Sequence, residues 1–227
     1  MGPSRVHFQS EMQDLRLRIV EMASLALNQI ERATAAWEEA DTAAAEQVIA
    51  DDERIDEACV ELDHAIYRLQ LLQAPVAGDL RLLHVGLIAV VALERVGDLA
   101  VAIAELTRSV RPGDANPEIQ AYLSRMSAQA VDTLALAVQA IARGDVALGQ
   151  RASEQAKAVR EMLYDLLDIV AAADAQTSNR AWNASAVLVG RHLERVANNG
   201  GELGGRVNFI VTGEPFQRSR PASKSPS

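Results

Sequence analysis

The chain has 227 residues, a formal net charge of −9, 49% apolar residues, only 4% aromatics and a single cysteine. A surface this acidic excludes general nucleic-acid binding, which needs a basic footprint. The lone Cys59 excludes an intramolecular disulfide and fits a cytosolic setting, while abundant alanine and leucine over this length suit one large or two small domains of packed helices.

Residues 1–5 read as a tail. From Val6 to Glu39, apolar residues recur at helical spacing through Met12, Leu15, Ile19, Met22, Ala26 and Ile30, predicting a long amphipathic helix. Asp41 or Thr42 is a plausible N-cap for a second helix, which is predicted to run unbroken through Val48, Ile55, Cys59, Leu62 and Ile66 to about Gln73. Pro75 is expected to open a third helix ending by Val110, because proline is tolerated in a first turn. The N-terminus lacks an apolar signal core, so no export is expected. The run Leu82–Leu93 is interrupted by Glu94, Arg95 and Asp98 and reads as a buried core helix, not a membrane span.

Arg111-Pro112-Gly113-Asp114-Ala115-Asn116-Pro117 is the strongest breaker in the chain, and the helical pattern then restarts. A fourth helix is predicted over about 118–142, closed by Arg143-Gly144-Asp145, and a fifth over about 146–173. A sixth starts near Thr177-Ser178 and ends near Thr212-Gly213. The segment 214–227, with Arg218, Arg220 and Lys224, reads as a disordered tail. Leu93-Glu94-Arg95-Val96 recurs as Leu193-Glu194-Arg195-Val196 at the matching place in the last helix. The expected architecture is therefore all-α: two tandem three-helix up-down-up bundles, residues 6–112 and 116–213.

The candidate chemistry lies in two carboxylate pairs. Glu94 and Asp98 are one helical turn apart in an otherwise apolar segment, and Asp52 and Asp56 have the same spacing upstream. Like charges at that spacing repel, and a cation between them would remove the cost. Asp52 and Asp98 lie equally far in sequence from Pro75, as do Asp56 and Glu94. Folding back at Pro75 would bring the four to one level, a plausible nest for a hard cation with oxygen ligands. The blander alternative is a solvated acidic face.

Pro75-Val76-Ala77-Gly78-Asp79-Leu80-Arg81, Leu93-Glu94-Arg95-Val96-Gly97-Asp98 and the Asp52–Asp56 segment together resemble the PhoU family of phosphate-signalling regulators. Leu193-Glu194-Arg195-Val196 and Arg206–Glu214 resemble its second copy and closing segment, so the likeness spans residues 6–214. What the resemblance implies is a fold of two three-helix bundles and a non-enzymatic role. Such a protein restrains phosphate-starvation signalling when phosphate is plentiful, between a phosphate ABC transporter, through its ATPase subunit, and a membrane histidine kinase. It also implies a cytoplasmic protein, peripheral to the membrane through its partners, a homodimer, and a metal at the acidic motifs. The metal would be iron or a divalent ion such as Zn, Mg, Mn or Ca, at Asp52, Asp56, Glu94 and Asp98.

The second copy departs from the pattern. Asn198 stands where the family carries Asp or a similar residue, and Ala156 and Arg160 align with Asp52 and Asp56. A weaker second site at Glu194 and Asn198 is the most that is expected there, because an amide adds no charge and Arg160 repels a cation. Two other readings compete. A metal-free helical scaffold would use the acidic face to bind a basic partner. A ferritin-like di-metal protein would need paired Glu-x-x-His motifs, and only Glu61-Leu62-Asp63-His64 supplies one. No Gly-rich phosphate cradle is present, so direct binding of inorganic phosphate has no local support in the sequence; Arg81 and Arg95 could serve it in principle but are expected to pair with carboxylates such as Asp79 or Glu94.

Overall fold

The computed structural model describes residues 3–111, 113–174 and 179–215, and among these there is no strand. The helices are α1 (Pro3–Glu39), α2 (Thr42–Asp51), α3 (Glu53–Gln73), α4 (Ala77–Leu106), α5 (Pro117–Arg143), α6 (Val146–Asp174) and α7 (Arg180–Thr212), with a 3-10 turn at Thr107–Ser109 after α4. The all-α bundle read from periodicity is thus present. The basic residues Arg218, Arg220 and Lys224 and the turn at Thr177-Ser178 lie outside the described residues.

Three boundaries differ from the sequence reading. Helix α1 already begins at Pro3, and α4 begins two residues after Pro75, behind Val76 in extended conformation. The second helix is not continuous: α2 and α3 meet at Asp52. The Val48 carbonyl, which an uninterrupted helix would offer to the Asp52 N–H, accepts the buried Gln29 side-chain amide at 3.0 Å. The Asp52 carbonyl accepts from both Ile55 and Asp56, which tightens the junction.

The two halves repeat one turn chemistry. After α1, Ala40 adopts a left-handed conformation (φ 53°) and Asp41 accepts hydrogen bonds from the Ala43 and Ala44 N–H groups. After α5, Gly144 is left-handed (φ 66°) and Asp145 accepts from the Leu148 N–H at 3.1 Å. In each case a reversed residue ends one helix and an aspartate caps the next.

A single apolar core runs through both halves, from Met12 and Ile19 through Leu83, Leu93 and Ile103 to Leu123, Leu193 and Val207. Helix α4 packs on α7, and α1 packs on α5. The rings of Trp37 and Trp182 stack at 5.1 Å across this seam, and the Trp37 indole N–H donates to Ser185 Oγ at 2.8 Å. Burying these rings gives the seam apolar area, and the Trp37 N–H is not left unpaired.

Candidate functional site

The first acidic cluster is assembled by three elements. The α2–α3 junction supplies Asp52, the first turn of α3 supplies Asp56, and α4 supplies Glu94 and Asp98. Close approach of α4 to the junction depends on Gly97, where a Cβ would lie 2.7 Å from Asp52 Oδ1 and 3.3 Å from the Ile55 side chain. Helix α1 contributes a fifth group that sequence reading missed. Gln29, 3% exposed, donates to Asp52 Oδ1 at 3.1 Å as well as to Val48. The signal was available, since Gln29 is a polar residue on the apolar stripe between Ala26 and Ile30.

The four carboxylates do come together electrostatically. Burial pushes the Asp52 carboxyl above the ordinary carboxylate range, the Gln29 hydrogen bond partly offsets this, and the charges of Asp56 and Asp98 add to it. Burial raises Glu94 as well, reinforced by Asp98 and Asp56, opposed by Arg95, and reinforced again by Asp52. Among the described residues none of the four has an ion-pair partner, whereas neighbouring Asp51 is bound by Arg32 at 2.5 Å. Cys59 lies at the edge of the same field. Burial and then Glu94, Asp63 and Asp56 push its thiol up, which keeps it protonated and unreactive near neutrality.

This donor set has the chemistry of a hard-cation site: oxygen ligands, uncompensated negative charge and partial burial. Its geometry is open, since among the described residues no three His, Cys, Asp or Glu side chains are gathered closely enough to hold a metal ion. Closure around a cation needs side-chain rotation, and Asp56 and Asp98 are exposed and free to rotate.

The second cluster is built differently. Glu194 is 2% exposed, and its oxygens meet Arg191 Nη1 at 2.5 Å, Arg160 Nε at 3.5 Å and the Asn198 side-chain N–H. Arg160 Nη2 also donates to Asn198 Oδ1 at 2.9 Å. The position matching Asp52 is Ala156, packed against Gly201. A guanidinium thus supplies the positive charge here, and Glu194 and Asn198 are already engaged with protein groups.

Other expected pairings are corrected. Arg81 does not pair with Asp79: its Nε donates to the Ile210 carbonyl at 3.2 Å, from α4 to the end of α7. Arg95 touches Glu94 only as a nearby charge, and no hydrogen bond joins them. Glu61 and His64 of the Glu-x-x-His segment are both exposed, and Arg18 binds Glu61 at 2.9 Å. They face solvent, so the core ligands a ferritin-like site requires are not formed by this motif.

The PhoU domain family model matches residues 19–107. A protein of Mycobacterium tuberculosis named phosphate-specific transport system accessory protein PhoU homolog 1 is 33% identical over 210 residues, covering 92% of this chain and 95% of that one. The fold is similar to crystal structures of PhoU from Streptococcus pneumoniae (TM-score 0.86, 21% identity, 93% of this chain and 100% of that chain) and Pseudomonas aeruginosa (0.84, 25%, 91% and 100%). The 33% identity to the Mycobacterium tuberculosis relative over nearly the whole length of both chains places this chain in the PhoU family.

Proposed function

We propose that this chain is a non-enzymatic regulator of phosphate uptake and phosphate-starvation signalling. It acts through two repeats, residues 6–112 and 116–213, as a rigid helical adaptor. It restrains the phosphate ABC transporter, through its ATPase subunit, and the associated histidine kinase when phosphate is plentiful. The observation that carries this reading is the extent of its likeness to proteins named as phosphate transport accessory proteins, along nearly the entire chain. Supporting it, no described helix is long and apolar enough to cross a membrane. We place the protein in the cytoplasm, as a homodimer brought to the inner membrane face by its partners.

A divalent cation or iron would be held by Asp52, Asp56, Glu94 and Asp98, where it would neutralise their mutual repulsion and stiffen the α3–α4 face offered to a partner. The weaker candidate at Glu194 and Asn198 is expected to stay without metal, because Arg160 and Arg191 already neutralise it.

The open geometry of the first cluster favours one alternative, in which the same acidic face binds a basic partner surface without metal. The test is alkaline phosphatase output in phosphate-rich medium, with and without this gene. A rise on deletion, reversed by the wild-type chain, supports the regulator. No change in a strain lacking any paralogue would overturn it. Complementation by Asp56→Asn and Asp98→Asn chains then separates the readings, since a metal site is lost with either carboxylate, whereas a diffuse acidic face is only weakened.

A further inference from the structure

The repeated Leu-Glu-Arg-Val places an arginine beside each glutamate. Neighbouring helical residues point about 100° apart, so while Glu94 and Glu194 turn into their own halves, Arg95 and Arg195 turn toward the seam where α4 packs on α7. There the two arginines line one concave cavity of about 260 Å³, with Asn198, Asn199 and Glu202. Neither guanidinium has a hydrogen-bond or ion-pair partner among the described residues. The acidic wall is neutralised locally, since Glu202 Oε1 accepts from Arg206 Nη2 at 2.7 Å. Asn199 donates one amide hydrogen to the Arg195 carbonyl at 3.0 Å and has a second to give.

Two cations with no ion-pair partner thus face one cavity, in a chain of net charge −9. An oxyanion between them would be attracted by both, and guanidinium groups match its oxygens in pairs. The cavity adjoins a second of about 290 Å³, lined by Leu87, Ile88, Val91, Ala92 and Leu203, with Arg95, Asn199 and Glu202 forming the shared wall. The groove is thus cationic at one end and apolar at the other.

We infer that the α4–α7 seam is a binding site for a phosphoryl oxyanion, held between Arg95 and Arg195. The ligand is either free inorganic phosphate or a phosphomonoester whose apolar body enters the Leu87–Val91 side. The inference needs only this groove and is independent of the proposed regulatory role.

The test is calorimetric titration of the full chain, freed of metal with chelator so that phosphate cannot bind through a cation. The probes are inorganic phosphate and n-hexyl phosphate, in dilute chloride buffer. Saturable one-site binding is expected. Arg95→Gln and Arg195→Gln should each weaken it about tenfold or more, the scale of one charged hydrogen-bonding group. Arg151→Gln, at an exposed position of α6 and with the same change in net charge, should leave it unaltered. Hexyl phosphate binding about tenfold or more tighter, with the gain lost in Val91→Gln, assigns the site to a phosphomonoester. Equal affinity assigns it to the free anion. The inference is overturned by the absence of saturable binding of either probe at millimolar concentration, or by affinities in Arg95→Gln and Arg195→Gln equal to wild type.

Discussion

Arg160 stands against Glu194, with Nε 3.5 Å from Oε1, where the matching pair in the first half is Asp56 against Glu94. One fold position thus carries a cation in one repeat and an anion in the other. The carboxylate facing it is 2% exposed in the second half and half-buried in the first. The fold keeps the geometry, and a change of residue type reverses its electrostatics.

Removing Arg160 should therefore destabilise the second half. Arg160→Ala leaves Glu194 with Arg191 and Asn198 only, and a cost of about 1 kcal/mol is expected, discounted because the arginine is half exposed. Adding Glu194→Gln to Arg160→Ala should recover part of it. Urea unfolding midpoints for the two variants measure both effects, and a double variant less stable than the single would show that Glu194 is not held as a charge.

Metal titration should follow the same asymmetry. Chelated protein is expected to bind a divalent ion or iron at the first cluster alone, and Asp98→Asn should reduce the stoichiometry while Glu194→Gln leaves it unchanged. Gly97→Ala removes no carboxylate, but its methyl would displace Asp52 Oδ1, so it should also weaken metal binding. Equal occupancy of both halves would reject this assignment.

Without metal, the carboxylate cluster should work against stability near neutral pH. Asp98→Asn removes repulsion from Asp52 and Glu94 and should stabilise the chelated protein by about 0.5 kcal/mol, the scale of like-charge helix pairs. The pKa values of Asp52 and Glu94 are raised on folding, so the folded state holds more protons than the unfolded one just above the ordinary carboxylate range. Stability from these groups is then lost as pH rises through that window. The gap between Asp98→Asn and wild type should accordingly close on acidification, as these two carboxyls protonate. Thermal melts across that range read it directly, and a gap independent of pH would mean that Asp98 acts by something other than charge.

Ala40 is left-handed where the second half has Gly144. An L-residue pays roughly 1–2 kcal/mol for that conformation. Ala40→Gly should stabilise the chain by up to about 1 kcal/mol, less the added freedom of the unfolded glycine, and Gly144→Ala should destabilise it similarly. Opposite shifts in melting temperature are expected.

Helical periodicity, Pro117 and the Gly144 and Gly213 stops made most helix spans legible, because each is a local consequence of side-chain spacing or backbone freedom. The pairing of Asp52 and Asp56 with Glu94 and Asp98 was also legible, since fold-back at one turn conserves height along two helices. The break at Asp52 was not, because it depends on Gln29 reaching the Val48 carbonyl from a helix far away in sequence. Nor was the fate of the arginines. Arg81 and Arg95 read as partners of their sequence neighbours, but α4 packs on α7, which sends Arg81 to the Ile210 carbonyl and gathers Arg95 with Arg195 at one cavity. The sequence by itself determined most helix spans, their order and the charge each half carries, because those follow from residue type and period. Which charges meet was decided only by tertiary packing, because partner choice depends on distances between helices that local spacing does not encode.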